Sequence, residues 1–355
     1  MPGNRLNSSD AAANAWPLGS TQAMTHTGAS NAAPAKTSMS RTNERSLLTR
    51  LAPSPTGAQH LGNARTYLIS WLFARAADGR VLLRIEDIDS PRVKPGAAAE
   101  AMGDLTWLGL DWDTGPVVQT ERLPLYESAL SRLQAAELVY PCTCTRGDIE
   151  RAASAPHADG AEPPYPGTCS HRTVADAGKL DRPFAWRFRV TESPAFDDLF
   201  RGPTQVDLAH DGGDFVVWKS AGSPAYQLAV VVDDADAGVT AVIRGDDLVS
   251  STPRQLLLYR ALGLTAPRFA HVPLVVGPDG RRLAKRHGDT RLAALRSAGV
   301  AAEQVIGLLA WSCGWQPDLA PATAAELVTK FDLAAIPRRP FVLTAEHLAA
   351  IGYRA

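Results

Sequence analysis

Residues 52–63 read Ala52-Pro53-Ser54-Pro55-Thr56-Gly57-Ala58-Gln59-His60-Leu61-Gly62-Asn63, a stretch that closes an apolar run and opens a helical pattern. Upstream, Ser46-Leu47-Leu48-Thr49-Arg50-Leu51-Ala52 has the length and composition of a short buried strand. Downstream, apolar residues at Leu68, Leu72, Phe73 and Ala76 predict a helix over 63–77, and the Pro/Gly cluster between predicts a tight turn. Strand, turn and helix together aim unpaired N–H groups, and the positive end of the helix dipole, at an anion. His60 and Asn63 fall where the helix begins, so their side chains can reach a phosphate too. Taken alone, the same stretch also fits a plain capped helix start with an exposed histidine.

The next segments extend the pattern. Arg80-Val81-Leu82-Leu83-Arg84-Ile85-Glu86-Asp87-Ile88-Asp89 is an alternating apolar run ending in acids, and buried parallel strands carry their functional groups at such carboxyl ends. Helical patterns follow at 94–109 and 121–137. The order β-α-β-α-α begins a doubly wound α/β parallel sheet. Residues 141–224 break into short segments rich in Pro, Gly and Cys and read as an inserted module. Periodicity resumes at 225: Tyr226 to Asp234 is an apolar run ending in acids, 238–244 a strand, 252–262 a helix opening near Pro253, and 271–276 a final strand. Gly277-Pro278-Asp279-Gly280 is a turn leading into the basic run Arg281-Arg282-Leu283-Ala284-Lys285-Arg286. Residues 292–355 carry helical periodicity without recognisable chemistry.

A chain of 355 residues accommodates about two domains at roughly 150 residues each. Hydrophobic residues at 45% and charged residues at 21%, with no apolar run near the roughly 20 residues of a membrane span, fit a soluble protein. The net charge of −1 exerts no global pull on nucleic acid, so any such binding falls to local basic patches such as 281–286. Residues 1–45, rich in Ala, Ser, Thr, Asn and Gly without a sustained apolar period, have the composition of a disordered tail and lack the apolar core of a secretory signal. The four cysteines, three of them clustered, argue for metal or a reduced compartment over a disulfide framework. A cytoplasmic monomer is the expectation.

Taken together, these motifs resemble the class I aminoacyl-tRNA synthetases, glutamyl branch. Arg50 to Gly57 with His60-Leu61-Gly62-Asn63 is similar to the first signature, His-Ile-Gly-His in general form, with Asn63 at the last position. Leu82 to Asp89 resembles the glutamate-site strand, and Val242 to Asp247 with Thr252-Pro253-Arg254-Gln255 resembles the second half of the fold. Arg282-Leu283-Ala284-Lys285-Arg286-His287-Gly288 is similar to the Lys-Met-Ser-Lys-Ser loop, with Ala284 in place of Ser. Only about 65 residues follow, too few for the branch's helical anticodon-binding region. The resemblance is therefore closest to its truncated members, the glutamyl-queuosine tRNA(Asp) synthetases, which activate glutamate with ATP and esterify it to the queuosine base of tRNA(Asp).

The resemblance implies that Arg50 and Arg244 address the substrate carboxylates, Glu86 the ammonium, and Ser54 and Tyr226 supply hydroxyls. Guanidinium suits that task because its planar fork matches a carboxylate. It implies further that His60, Asn63 and Lys285 act in catalysis, that Pro53, Gly62 and Lys285 contact ATP, and that Mg²⁺ accompanies the ATP phosphates. Cys142, Cys144 and Cys169 supply three thiolates of a structural zinc site, one per chain, whose usual ligand count is four. The resemblance points to Tyr165 as the fourth; His171 is the chemically more ordinary alternative. Cys313 reads as core. Two further readings remain: a truncated enzyme charging an ordinary tRNA 3′ end, and a catalytically silent paralogue that binds tRNA.

Overall fold

A computed structural model describes residues 46–88, 93–152, 164–281, 283 and 289–353. In chain order its elements are β1 (Leu48–Leu51), α1 (Leu61–Arg75), β2 (Arg80–Ile85), α2 (Ala97–Trp107), β3 (Thr114–Val118), α3 (Leu123–Ala135), β4 (Val139–Cys142) and α4 (Arg146–Ala152). There follow β5 (Ala185–Phe188), β6 (Phe196–Asp198), β7 (Gly202–Thr204), β8 (Phe215–Trp218), α5 (Tyr226–Ala237), β9 (Ala241–Gly245), α6 (Ser251–Ala261), β10 (Arg268–Val272) and β11 (Val275–Val276). The chain continues through α7 (Leu292–Ser297), α8 (Ala302–Ser312), α9 (Ala324–Leu327), β12 (Phe341–Val342) and α10 (Ala345–Ala350). Among the described residues, no helix is long and apolar enough to cross a membrane.

β1 pairs in parallel with β2, and β2 with β3. β9 pairs in parallel with β10, placing Arg244 opposite His271, and β10 pairs in parallel with β6. The two sets meet at β1 and β9, where Thr240 N–H donates to Leu48 O at 2.9 Å and Leu48 N–H to Thr240 Oγ1 at 2.9 Å. Side by side, the two sheets run β3-β2-β1 and then β9-β10-β6-β7, so the chain winds outward in opposite senses from the junction of β1 and β9, the kind of crevice where an open α/β sheet binds its ligand.

Both faces of this sheet are covered, as parallel strands require. Leu51, Val81, Leu83, Ile85, Ala241, Ile243, Ala270 and Val272 pack with α1 and α8 in one core, whereas Leu48, Leu82, Val242 and Phe269 pack with α3, α5 and α6 in the other. Because successive side chains alternate between faces, Arg50, Arg84 and Arg244 follow Leu48, Leu82 and Val242 onto the α5 side. Three adjacent strands thus place a buried arginine on one face near their carboxyl ends.

The Tyr226 to Asp234 run, whose element type the sequence leaves open, is a helix, closed by Gly238 in the left-handed conformation at φ 73°, and its acids Asp233 and Asp234 turn inward. The 271–276 strand is two strands, β10 and β11, broken around Pro273, which has no N–H for a ladder; nor is it final, since β11 pairs with β12. An antiparallel sheet, β4-β5-β8, starts at Val139, two residues before the expected boundary at 141, and the chain between β5 and β8 sends β6 and its hairpin partner β7 to the edge strand β10 of the parallel set.

Candidate active site

A cavity of about 350 Å³ opens at the switch point, lined by Arg50, His60, Gly62, Asn63, Tyr67, Glu86, Tyr226, Arg244 and Asp247 among others. α1 begins beside it: His60 precedes the first helical residue in extended backbone, and its N–H donates to Asn63 Oδ1 at 3.2 Å. Gly62 leaves room for the His60 ring, since a Cβ there would stand 3.2 Å from two ring atoms. The turn before the helix is laced to the chain beyond the basic loop by Leu61 N–H to Thr290 O at 3.1 Å and Leu292 N–H to Gln59 O at 2.9 Å. Leu283 also lines the cavity, so both described flanks of that loop lie near His60. Lys285 itself lies outside the described residues, as do Asp89, Arg282 and 284–288.

The acidic wall rests on a buried charge network. Arg84, fully buried, donates to Asp234 Oδ1 at 2.5 Å and to Glu86 Oε1 at 2.8 Å. Burial opposes its charge, but Asp234, Glu86 and Asp233 more than offset this and raise its pKa well above the ordinary value. Asp233 in turn accepts from Arg122 Nε, Gln119 Nε2 and Tyr126 OH, each at 2.8 Å. Glu86 is therefore held by a guanidinium at its back, and Pro53 O fixes its backbone by accepting the Glu86 N–H at 3.0 Å.

The cationic wall faces it. Arg50 donates to Ile243 O at 3.1 Å, while its Nε, 3.8 Å from Asp234, makes no hydrogen bond. Arg244 lies with its guanidinium 5.1 Å from the Phe269 ring centroid and donates to His271 Nε2 at 3.0 Å and Thr252 Oγ1 at 2.8 Å. Burial, with Arg50 nearby, lowers the Arg244 pKa in spite of Tyr226 and Asp234, and burial raises that of the Tyr226 hydroxyl. The cavity thus offers the guanidinium groups of Arg50 and Arg244 to carboxylates, the carboxylates of Glu86 and Asp247 to a cation, and the neutral phenols of Tyr67 and Tyr226, a set able to hold a small zwitterion bearing a second carboxylate.

Of the residues singled out in sequence, Arg50, His60, Gly62, Asn63, Glu86, Tyr226 and Arg244 come together here. Pro53 and Ser54 are not among the lining residues: the Ser54 hydroxyl is 3.1 Å from Thr56 Oγ1 within the turn, and Gln59 Nε2 donates to Ser54 O at 3.2 Å. Arg84, Asp233, Tyr67 and His271 went unrecognised. The available signal was an arginine inside an apolar strand, two residues before Glu86, and an acid pair followed by no turn.

A second cluster lies in the inserted segment. Cys142, Cys144 and Cys169 bring their sulfurs within 4.8 Å of one another, a grouping able to hold a metal ion. Cys144 and Cys169 Sγ are 3.7 Å apart, and the Tyr165 hydroxyl is 3.4 Å from Cys142 Sγ and 3.9 Å from Cys144 Sγ. Burial and the neighbouring Cys142 push the Cys144 thiol up to about 11. For Cys169 burial acts the same way, but hydrogen bonds from the Thr143 backbone and Tyr165 prevail and bring it down to about 7. His171 is exposed and outside the cluster. Cys313 is buried in the core.

A family model described as tRNA synthetases class I (E and Q), catalytic domain, matches residues 46–348. The chain belongs to that family. Among its relatives, the glutamyl-Q tRNA(Asp) synthetase of Rhodopirellula baltica is 52% identical over 318 residues, covering 84% of this chain and 97% of that protein. The glutamate–tRNA ligase of Geobacter sulfurreducens is 42% identical over 84% of this chain and 64% of its own length. The crystal structure of the glutamate-tRNA synthetase from Elizabethkingia anophelis matches this class I fold with a TM-score of 0.73 at 28% identity, over 86% of this chain and 70% of that one.

Proposed function

We propose that this synthetase activates L-glutamate with ATP as glutamyl-adenylate and transfers the glutamyl group to the queuosine base in the anticodon loop of tRNA(Asp). The observation that carries the reading is the pairing of Arg50 and Arg244 against Glu86 in one cavity beside the start of α1. Arg50 and Arg244 take the two substrate carboxylates, Glu86 the ammonium, and Tyr226 contributes its hydroxyl. In the first step a carboxylate oxygen of glutamate bonds to the α-phosphorus of ATP and pyrophosphate leaves. Charge grows on phosphate oxygens, so donors from His60, Asn63, the α1 terminus and Lys285 lower the barrier, each by about 2–4 kcal/mol as for other preorganised donors. Mg²⁺ travels with the ATP phosphates, held mostly by them and by water. In the second step a hydroxyl of the modified base takes the acyl group and AMP leaves; an unstacked anticodon base is the kind of RNA feature a protein reads well. The acceptor is assigned on the higher identity, 52% against 42%, to the glutamyl-Q relative than to the glutamate–tRNA ligase.

Zinc fits the thiol cluster. Tetrahedral coordination at about 2.3 Å for sulfur and about 2.0–2.2 Å for oxygen implies edges of ~3.8 Å between sulfurs and ~3.5 Å from sulfur to oxygen; the separations here are 3.7 Å between sulfurs and 3.4 and 3.9 Å from sulfur to oxygen, within a small side-chain adjustment of those edges. Cys142, Cys144, Cys169 and Tyr165 would hold it, with Arg187 donating to Cys142 Sγ at 3.3 Å and stacked 4.0 Å from the Tyr165 ring centroid. Its contribution is structural.

Glutamate-dependent ATP–pyrophosphate exchange, assayed with and without tRNA, tests the reading. Exchange with glutamate and its loss in Lys285→Ala support it; no exchange with glutamate leaves the silent-paralogue alternative, and unimpaired exchange in Lys285→Ala refutes the assignment of that loop.

A further inference from the structure

Arg244 is held from behind by residues that are not among those lining the cavity. His271, fully buried on β10, is 2.6 Å through Nδ1 from Asp198 Oδ2 and 3.0 Å through Nε2 from Arg244 Nε. The state of that imidazole follows from its partners. Asp198 Oδ1 accepts the backbone N–H groups of Phe200 at 2.9 Å, Arg201 at 2.8 Å and His271 at 3.2 Å, which fixes the carboxylate as an ion and an acceptor. Burial opposes that charge, yet these bonds and His271 keep the Asp198 pKa below the ordinary range. Nδ1 must then carry the proton it donates to Asp198. A neutral ring in this tautomer presents a bare lone pair at Nε2, the only form able to accept from the obligate donor Arg244 Nε–H. The His271 pKa is lowered, first by burial and then by Arg244, in spite of Asp198, in keeping with a neutral ring. Thr252 Oγ1, 2.8 Å from Arg244 Nη2 and 3.1 Å from His271 Nε2, closes the arrangement, and Phe269 supports the guanidinium.

We propose that Asp198 and His271 are positioning residues for glutamate: Asp198 fixes the His271 tautomer, and His271 Nε2 with Thr252 sets the rotation of Arg244 so that its remaining donors face the substrate carboxylate. The proposal rests on the assignment of glutamate to this cavity. It also explains why the inserted segment sends β6 to β10. That strand delivers Asp198, so the amino-acid site is completed by a residue from 141–224.

Three variants test the relay by ATP–pyrophosphate exchange kinetics. His271→Phe removes the acceptor while keeping a ring, Asp198→Asn allows the opposite tautomer, and His271→Gln restores a side-chain acceptor near the position of Nε2. In His271→Phe and Asp198→Asn the KM for glutamate is expected to rise about 10- to 100-fold, the range for a lost hydrogen bond to a charged group, with the KM for ATP changed less than about 3-fold. His271→Gln is expected to recover most of the loss. ¹⁵N NMR of histidine-labelled protein should show His271 protonated at Nδ1 in the unsubstituted chain and at Nε2 in Asp198→Asn. Folded His271→Phe with an unchanged KM for glutamate, KM values for glutamate and ATP rising together, or a cationic ring at neutral pH would each overturn the relay. Absence of glutamate-dependent exchange in the unsubstituted protein would instead overturn the functional assignment, while the NMR signal would still report the Asp198 to His271 geometry.

Discussion

Arg84→Met removes the guanidinium on which the acidic wall rests, and the structure sets what remains. Asp234 loses its 2.5 Å partner and keeps, among the described residues, Arg50 Nε at 3.8 Å and the more distant charge of Arg244. Glu86 loses both Arg84 bonds, at 2.8 and 3.3 Å. Asp233 is better protected, since Arg122, Gln119 and Tyr126 still hold it. The damage is thus concentrated on Asp234, a buried carboxylate left nearly uncompensated, and breaking such a pair costs about 3–5 kcal/mol. At ~2–3 °C per kcal/mol for a chain of this size, the melting temperature should fall by roughly 6–15 °C. Glu86, no longer steered, should also bind the ammonium less well and raise the KM for glutamate. Thermal melts followed by circular dichroism give the first quantity and pyrophosphate exchange the second. The double variant Arg84→Met/Asp234→Leu removes both charges, so it should be more stable than the sum of the two single changes by about 1–3 kcal/mol. A loss below about 1 kcal/mol in Arg84→Met, or strict additivity in the double variant, would refute the claim that Arg84 is the keystone of this network.

Gly62→Ala should place a methyl group 3.2 Å from the His60 ring and displace it, lowering exchange up to about 100-fold, as 1 Å shifts of reacting groups can; retention of full activity would remove His60 from the site. Purified protein is expected to carry about one zinc per chain, and Cys169→Ser to reduce it below about half an equivalent; metal analysis of both proteins decides. Asp104 tests the electrostatics elsewhere. Burial, opposed by Arg296, pushes its carboxyl up to about 6, above its unfolded value of about 3.9. The folded state therefore binds the proton more tightly, and stability is lost as pH rises from ~4 to ~6 and stays reduced above that. Asp104→Asn should recover on the order of 1–3 kcal/mol at pH 7.5, a gain that fades toward pH 4. Melting curves across that range check it, and an equal gain at pH 4 would contradict the cause given.

Residues 52–63 and the run to Glu86 were legible because strand period, turn chemistry and helix start agree locally. The same logic placed Arg50, His60, Asn63, Glu86 and Arg244 at strand ends and turns, where the sheet brings them together. What escaped depends on the third dimension. Arg84 looks like an interruption of an apolar strand until α5 supplies Asp233 and Asp234 across 150 residues. The helix at Tyr226 was obscured because its buried face is broad, so the run shows no clear period. His271 reads as one polar residue in a strand; only its neighbours Asp198 and Arg244, from separate strands, give it a task. Ser54, by contrast, lies in the turn and not among the residues lining the cavity, its hydroxyl 3.1 Å from Thr56 Oγ1.

The identity of the acceptor separates this enzyme from one that charges a tRNA 3′ end. Incubating the protein with ATP, labelled glutamate and separately purified tRNA(Asp) with and without queuosine, then mapping the labelled bond, measures it directly. Label confined to queuosine-bearing tRNA(Asp) and located on the modified base is the expected result. Label on the 3′ end, or equal labelling of tRNA lacking queuosine, would contradict it.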